Sequence, residues 1–457
     1  MSDPLIHALR EALGPRAVLT GEDVPQRNRA DWSGGVPTIP AALVLPSSTE
    51  EVSTALSLCN AHRRPVVPQG GMTGLAQGAH PAGNEIAISL ERMTGIEEID
   101  PASGTLTALA GTPLQVIQQA AGEAGFLVGI DLGARGTCTI GGNVATNAGG
   151  NQVLRYGMTR RNVLGLEAVL PDGRILRSLN KMMKNNTGYD WPQLMIGSEG
   201  TLGIVTRVVL ALHPRPAAID AALVAVDDAT QAIALLRHIE TRLPGGLLVF
   251  EAMWREFYEI ATGTMARVAP LPIGHDLYLM IEAPGGLTEA LADAHDAGLI
   301  ADAVVARSEA DRKSFWALRE SVYEYDRHFP PTVGFDVSIP LDRMPEAVET
   351  LRRRFAEVLP DQPWVVFGHL ADSNIHVNMM PAPDVPDARK RIEAVVYGVV
   401  SDLSGSVSAE HGIGRLKAPY LALSRSAEEL EIMAALKKTF DPNGILSPGR
   451  IFSAAKS

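Results

Sequence analysis

Cysteine is nearly absent: Cys59 and Cys138 are the two in 457 residues. Two thiols cannot build a disulfide framework, so a reducing compartment is expected. Positive charge is short as well, with 40 Lys and Arg against 52 Asp and Glu, a formal net charge of −12. Nucleic-acid phosphates demand a basic surface, so a nucleic-acid partner is excluded. Arg352-Arg353-Arg354 lies in a helix-like stretch and reads as one solvated turn. No run approaches eighteen apolar residues, so no membrane-crossing helix is expected. The opening Met1-Ser2-Asp3-Pro4-Leu5-Ile6 lacks a basic stretch followed by an apolar one, the pattern of a secretory leader. A cytoplasmic protein is expected, with peripheral membrane contact left open. Two nucleotide signatures are also missing: there is no G-x-G-x-x-G fingerprint after a strand, and no Lys-Ser/Thr closing a phosphate loop. Neither a solenoid-period repeat nor a low-complexity tract is present.

What remains is ordinary for a soluble globular chain, with 46% hydrophobic and 20% charged residues. Its length predicts two or three domains. Helical spacing covers residues 4–13. Ala42–Leu45 reads as a strand, Ser47–Glu51 as the start of a helix reaching about Cys59, and Pro65–Pro68 as a strand. Thr105–Ala110 is a strand, Pro113–Gly122 a helix, and Val163–Leu170 a strand returning as Gly173–Leu176 through Pro171-Asp172-Gly173. Beyond about residue 215 strands and helices alternate: strands at 221–226, 247–250, 276–281 and 301–306, helices at 230–243 and 287–297. This predicts a sheet with helices on one face. Ser308–Arg327 reads as one long helix, followed by strand Gly334–Pro340 and helix Asp342–Val358; Ala427–Thr439 is a helix stopped by Asp441-Pro442-Asn443-Gly444.

Glycine carries the first chemical signal. Pro68 to Gly78 follows a strand and holds four glycines in nine residues, a loop able to aim backbone N–H groups at phosphate oxygens or simply to turn tightly. Residues 128–160 are rich in Gly, Asn and Thr and too long for a plain connection. Within them, Ile140–Asn151 sets small residues beside amides and hydroxyls, which suits a flat polar heterocycle. Ile196–Val205 is similar in kind.

Histidine carries the second. His369, Asp372, Asn374, His376 and Asn378 crowd into ten residues, and Glu410-His411 follows thirty-odd residues later. Two imidazoles and a carboxylate make a three-ligand metal site with one position open, and His411 would be left to move a proton. His369 and His376 are seven apart and would point oppositely on one straight strand. Ala371-Asp372-Ser373-Asn374 looks like a turn, and a reversal there brings both rings to one place. His376 and Asn378 share a face. The plainer alternative is two capped loop histidines and a solvated Glu-His pair.

As a set, the three glycine-rich stretches resemble the FAD-binding domain of the vanillyl-alcohol-oxidase family. The residues His369, His376 and Glu410-His411, with the ending Asp441-Pro442-Asn443-Gly444, are similar to its branch of FAD-linked D-2-hydroxyacid dehydrogenases. That branch includes enzymes oxidising D-lactate, D-2-hydroxyglutarate and glycolate. The resemblance spans about residues 40 to 450. It implies an α+β fold, with a two-subdomain FAD-binding domain at 1–215, a substrate- and metal-binding α+β domain of antiparallel sheet covered by helices at 216–415, and a segment at 416–457 returning to the flavin side. It assigns Gly70, Gly71, Met72, Thr73 and Gly74 to the diphosphate. Asp131, Leu132, Thr137, Gly141, Gly142, Asn143, Asn147, Gly149 and Gly150 run along the flavin, and Glu199, Gly200, Gly203 and Val205 lie near adenine and ribose. Many relatives bond flavin covalently through a histidine in the first loop. Met72 stands about there and His80 lies outside the motif, so non-covalent FAD is implied.

The same resemblance makes His369, His376 and Glu410 ligands of a divalent metal, zinc first, with manganese and cobalt as alternatives. His411 becomes the catalytic base. Arg319 grips a substrate carboxylate, and Asn378 and Tyr323 lie near the substrate. By itself, an arginine beside a glutamate on a helix reads as a surface residue. The implied reaction oxidises a small 2-hydroxy acid to the 2-oxo acid: His411 takes the hydroxyl proton, the C2 hydrogen passes as hydride to flavin N5, and electrons leave to a quinone, a cytochrome or an electron-transfer flavoprotein. A homodimer is a family expectation. Enzymes of the 2-hydroxyglutarate type carry a lysine just before the strand at Phe335–Ser338. Thr332-Val333-Gly334-Phe335 has none, which favours a monocarboxylate, since a second buried carboxylate without a cation is expensive. Two rivals are a non-catalytic flavin subunit and a metal-independent flavin oxidase of alcohols or phenols.

Overall fold

The computed structural model describes residues 3–243, 246–329 and 331–453. The chain divides into two compact units, Met1–Arg215 with Glu410–Ser457, and Pro216–Ala409.

The first unit holds two sheets on one hydrophobic core. In the smaller sheet the strands Val18–Leu19, Ala42–Val44, Ile86–Ser89 and Val66–Gln69 lie side by side in that order. The last three are parallel. The helix Thr49–Ala61 carries the chain from Ala42–Val44 across Ile86–Ser89 to Val66–Gln69, the kind of crossover that parallel strands need, and starts where Ser48 accepts from the Glu51 N–H at 3.1 Å. The larger sheet is antiparallel: Ile96–Asp100, Thr105–Leu109, Ile204–Pro214, Val163–Val169 and Ile175–Ser178, with Phe126–Val128 also pairing to Ile204–Pro214. Leu56, Ile86, Ile88, Leu106, Leu166 and Leu210 join both sheets in one cluster.

The C-terminal segment is stitched into this unit. Val66 donates to Ile445 O at 2.7 Å and Ser447 donates to Val66 O at 2.8 Å. Arg450, fully buried, donates to both oxygens of Glu85 at 2.8 and 3.0 Å, and Arg415 adds a bond at 2.8 Å. By compactness the division falls between Ala409 and Glu410. Residues 410–415 are tied down here: Gly150 N–H donates to Glu410 Oε1 at 2.7 Å, and the Ile413 and Gly414 N–H groups donate to the two Glu199 oxygens, each at 2.7 Å.

Burial alone would raise the Glu85 carboxyl, but the Arg450 bond and charge, with Arg415, hold it below its ordinary 4.5. A depressed carboxyl stabilises the fold above its unfolded value, and that stability is lost as pH falls through its folded value. Glu85→Gln is therefore expected to destabilise at pH 7 by about 3–5 kcal/mol, because it leaves buried Arg450 short of its counter-charge. As pH falls below 4.5 and on through the lower folded value, the variant's denaturation curve should approach the wild type's. Equal stability at pH 7 would show the pair contributes nothing.

The second unit is a seven-stranded antiparallel sheet in the order Asp302–Val305, Asp220–Val226, Leu277–Ala283, Val249–Trp254, Trp364–His369, Asn374–Met379, Val333–Ser338. One-sided covering by helices is not what the structure has. Ala221, Leu223 and Ala225 cluster with Phe257, Tyr258, Phe315 and Leu318, while Ala222, Val224 and Val226, pointing the other way, are buried too. The long helix expected over 308–327 also breaks. An α-helix covers Glu309–Arg319, a 3-10 stretch Glu320–Glu324 and a short α-helix Tyr325–His328. Leu318, at the end of the α-helix, and Ser321, in the 3-10 stretch, are both fully buried.

Candidate active site

The two histidines meet. Trp364–His369 and Asn374–Met379 are adjacent antiparallel strands joined by a 3-10 turn, Leu370–Asp372, and by Ser373 in the left-handed region at φ 69°. Phe367 lies directly opposite His376. His369 is two residues from Phe367 and so takes the same face, diagonal to His376. Their ring centroids are 5.7 Å apart at 76°. The reversal read from the turn residues is present, and the capped-loop alternative fails for both rings.

Each histidine faces a buried carboxylate on its outer neighbour strand. Glu251 is directly opposite His369, and Asp336 is directly opposite His376. Both acids are 1% exposed. His369 Nδ1 bonds Glu251 Oε1, and Asp336 Oδ1 stands 4.0 Å from His376 Nδ1. With Nδ1 of His369 engaged, Nε2 is the ring nitrogen that could hold a metal, the arrangement common to metal-binding histidines. Burial pushes the Glu251 carboxyl up, but the charges and bonds of His369 and Arg319 outweigh it and hold it at about 2. Neither acid was anticipated from the sequence. The available signal was one carboxylate inside an apolar strand, Phe250-Glu251-Ala252 and Phe335-Asp336-Val337.

Arg319 is not a surface residue. It ends the helix Glu309–Arg319, is 6% exposed, and donates through Nε to Glu251 Oε2 at 2.7 Å. Its guanidinium carbon lies 4.6 Å from the centre of the Phe367 ring, which packs 5.0 Å from His376. Among the described residues its Nη groups make no hydrogen bond, so the two-pronged end of the fork is left for an anion. Asn378 shares the His376 face, and a Cβ on Gly334 would lie 2.9 Å from its Oδ1, so Gly334 leaves Asn378 its room. Tyr323 is exposed, in the 3-10 stretch after Arg319.

In the first unit the three glycine-rich stretches pack on one another. A Cβ at Gly71 would fall 2.1 Å from Thr137 O, so the first loop lies flush on the second. Met72, at φ 58°, is buried beside it, followed by Thr73 and Gly74. Thr139 caps the helix Ile140–Thr146, which carries Gly141, Gly142 and Asn143, and Asn147 ends it in the left-handed region. The third stretch hydrogen-bonds to that helix: Gly197 N–H to Val144 O at 3.0 Å and Glu199 N–H to Ala145 O at 2.7 Å. Gly200, Gly203 and Val205 continue from it into the strand Ile204–Pro214. Gly150, at φ 102°, bridges Asp131, and a Cβ there would fall 2.0 Å from Asp131 O and 2.8 Å from Leu132. Gly149 leaves space for Glu410, whose Oε1 would lie 2.8 Å from a Cβ at that position. His411 follows Glu410 and is half-buried. Burial pushes the Glu199 carboxyl up, against the two backbone N–H groups it accepts from. Glu199 thus clamps residues 413–414, beyond any part it has toward adenine or ribose. The buried Asn143 amide nitrogen has no nitrogen or oxygen partner among the described residues, and the Cys138 thiol is its polar neighbour. A donor held ready in a glycine-lined stretch fits a heterocycle.

These features define a class, a flavin-binding oxidoreductase fold. A model of the FAD binding domain matches residues 40–178, and a model of FAD linked oxidases, C-terminal domain, matches residues 215–451. The chain is 37% identical over 452 residues to the probable mitochondrial D-2-hydroxyglutarate dehydrogenase of Oryza sativa subsp. japonica, covering 97% of this chain and 80% of the relative. It is 37% identical over 450 residues to the mitochondrial D-2-hydroxyglutarate dehydrogenase of Bos taurus (96% and 82%). To the D-2-hydroxyglutarate dehydrogenase of Xanthomonas citri pv. viticola it is 36% identical over 467 residues (99% and 98%). Among solved structures, p-cresol methylhydroxylase with substrate bound superposes with a TM-score of 0.77 at 17% identity, covering 99% of this chain and 97% of the other, a likeness of fold. The chain belongs to the FAD-linked oxidase family. FAD is its cofactor.

Proposed function

We propose that this protein oxidises a D-2-hydroxy acid to the 2-oxo acid with FAD, and that D-2-hydroxyglutarate is its substrate. The observation carrying this reading is the His369–His376 pair, with its buried carboxylates, in a chain whose near-full-length relatives from plant, animal and bacterium share that substrate in their names. Those names outweigh the missing lysine at 332–335, and the monocarboxylate expectation is withdrawn.

His369, His376 and Glu410 would hold a divalent metal, zinc before manganese or cobalt, since two imidazoles and a carboxylate suit these ions. When bound, the metal stabilises an ionised alcohol and FAD accepts a hydride. The Arg319 Nη pair grips a substrate carboxylate, Asn378 hydrogen-bonds the substrate from the His376 face, and Tyr323 lies near the substrate. His411 takes the hydroxyl proton as the C2 hydrogen departs. FAD is held without a covalent bond, its diphosphate on Gly70–Gly74, its ring along Asp131–Leu132 and Thr137–Gly150, and its adenosine end near Glu199–Val205. Electrons pass to an external quinone, cytochrome or electron-transfer flavoprotein. We place the protein in the cytoplasm. Among the described residues no helix is long and apolar enough to cross a membrane.

A turnover panel tests the substrate. D-2-Hydroxyglutarate is expected to exceed D-lactate, glycolate and D-mandelate in kcat/KM by at least about tenfold, since unpaired carboxylate recognition groups cost on the order of 1–3 kcal/mol. Preference for D-lactate or D-mandelate would overturn that choice. Acid precipitation is expected to release all the flavin, and flavin retained in the pellet would show a covalent link.

A further inference from the structure

Two buried acids stand on the outer strands beside the histidine pair, and neither has a part in the chemistry above. A lone ionised carboxylate inside a sheet is costly unless it is paired and hydrogen-bonded. Glu251 meets that condition by dividing its oxygens: Oε1 takes His369 Nδ1, and Oε2 takes Arg319 Nε at 2.7 Å. Asp336 has a different set. Oδ1 lies 4.0 Å from His376 Nδ1, and Oδ2 accepts from Ser408 Oγ at 3.4 Å. Both acids reach their histidines by the same device, direct cross-strand opposition.

We infer that Glu251 is a positioning residue for two subsites at once, orienting His369 for metal through one oxygen and Arg319 for the substrate carboxylate through the other. The inference rests on the functional reading above. A carboxylate that accepts from Nδ1 holds the imidazole in the Nδ1–H tautomer, so Nε2 presents its lone pair to a cation. The same carboxylate draws the guanidinium by its Nε edge and leaves the Nη edge turned away, which is the edge a carboxylate ligand takes two-pronged. The two donors meet different oxygens, so a glutamine turns its NH2 toward one of them and leaves that donor unmet. Glu251→Gln therefore impairs two subsites, and Asp336→Asn leaves the Arg319 subsite as it is.

The test uses purified, FAD-loaded full-length protein. Zinc affinity is read by competition with a chromophoric chelator, and kcat and KM are then measured with zinc saturating. Glu251→Gln is expected to lose zinc affinity by about 10–100-fold. With zinc restored, Glu251→Gln should show a KM raised at least about tenfold, as expected when a carboxylate grip loosens by some 1.4 kcal/mol. Asp336→Asn should keep the wild-type KM. Wild-type zinc affinity and KM in Glu251→Gln, with only a lower Tm, would make Glu251 a structural ion-pair partner and overturn the inference alone. A wild-type protein that neither binds zinc nor oxidises the substrate sinks the functional reading and the inference with it. Should Glu251→Gln fail to retain FAD, imidazole nitrogen shifts of the wild-type zinc-free protein decide. The Nδ1–H tautomer at His369, assigned by loss of its signal in His369→Ala, supports the inference, and the Nε2–H tautomer overturns it.

Discussion

Replacing His411 by alanine is expected to lower kcat by about 10²–10⁴-fold, the usual worth of general-base help, with little change in substrate Kd. The asymmetry follows from where the neighbours are anchored. Glu410 keeps its bond from the Gly150 N–H, and Glu199 keeps its two from Ile413 and Gly414, so the segment carrying residue 411 stays fixed when the ring is removed. Arg319, to which substrate affinity is assigned, is held elsewhere by Glu251. What disappears is the group proposed to accept the hydroxyl proton. Rapid-mixing measurement of flavin reduction across substrate concentrations separates rate from affinity, and added imidazole should restore part of the rate. Near-normal flavin reduction in the variant would remove His411 from the base role.

Chelation of the metal is expected to abolish flavin reduction while FAD remains bound. A Lewis-acid metal is worth several kcal/mol of charge stabilisation, so a fall of at least about 10³-fold is expected at ~1.4 kcal/mol per decade. FAD should stay because the residues proposed to hold it, Gly70–Gly74, Gly141–Asn143 and Gly197–Val205, are packed on one another by backbone contacts that involve neither His369 nor His376. Adding back zinc, manganese or cobalt identifies the ion by which restores the rate. Reduction unaffected by exhaustive chelation would favour the metal-independent flavin oxidase, and loss of FAD with the metal would show that the two sites are coupled.

The parts of this architecture that were legible in the sequence are those with local causes. Ser48 before an apolar-spaced run marks a helix start, Asp172-Gly173 marks a hairpin, and Asp372-Ser373 marks the reversal that joins His369 to His376. The glycine stretches were recognisable as motifs, but their mutual packing was not, because the contact of Gly71 with Thr137 is set by tertiary structure. The helix Ala388–Asp402 is hidden for the same reason. Its second half, Val395-Val396-Tyr397-Gly398-Val399-Val400, favours strand by propensity, and burial beside the helix Met344–Val358 decides otherwise. Glu251 and Asp336 are the most instructive omissions. Their significance depends on strand register, which places each opposite a histidine on a strand distant in the chain, and neither lies in a motif of its own.

The most direct measurement is anaerobic mixing of the metal-loaded protein with the two enantiomers of 2-hydroxyglutarate, followed at the flavin absorbance. The account predicts complete bleaching by the D form in a single turnover, with 2-oxoglutarate formed in equal amount to the flavin, and no bleaching by the L form. An oxidised flavin spectrum that persists in the presence of the D acid would contradict it.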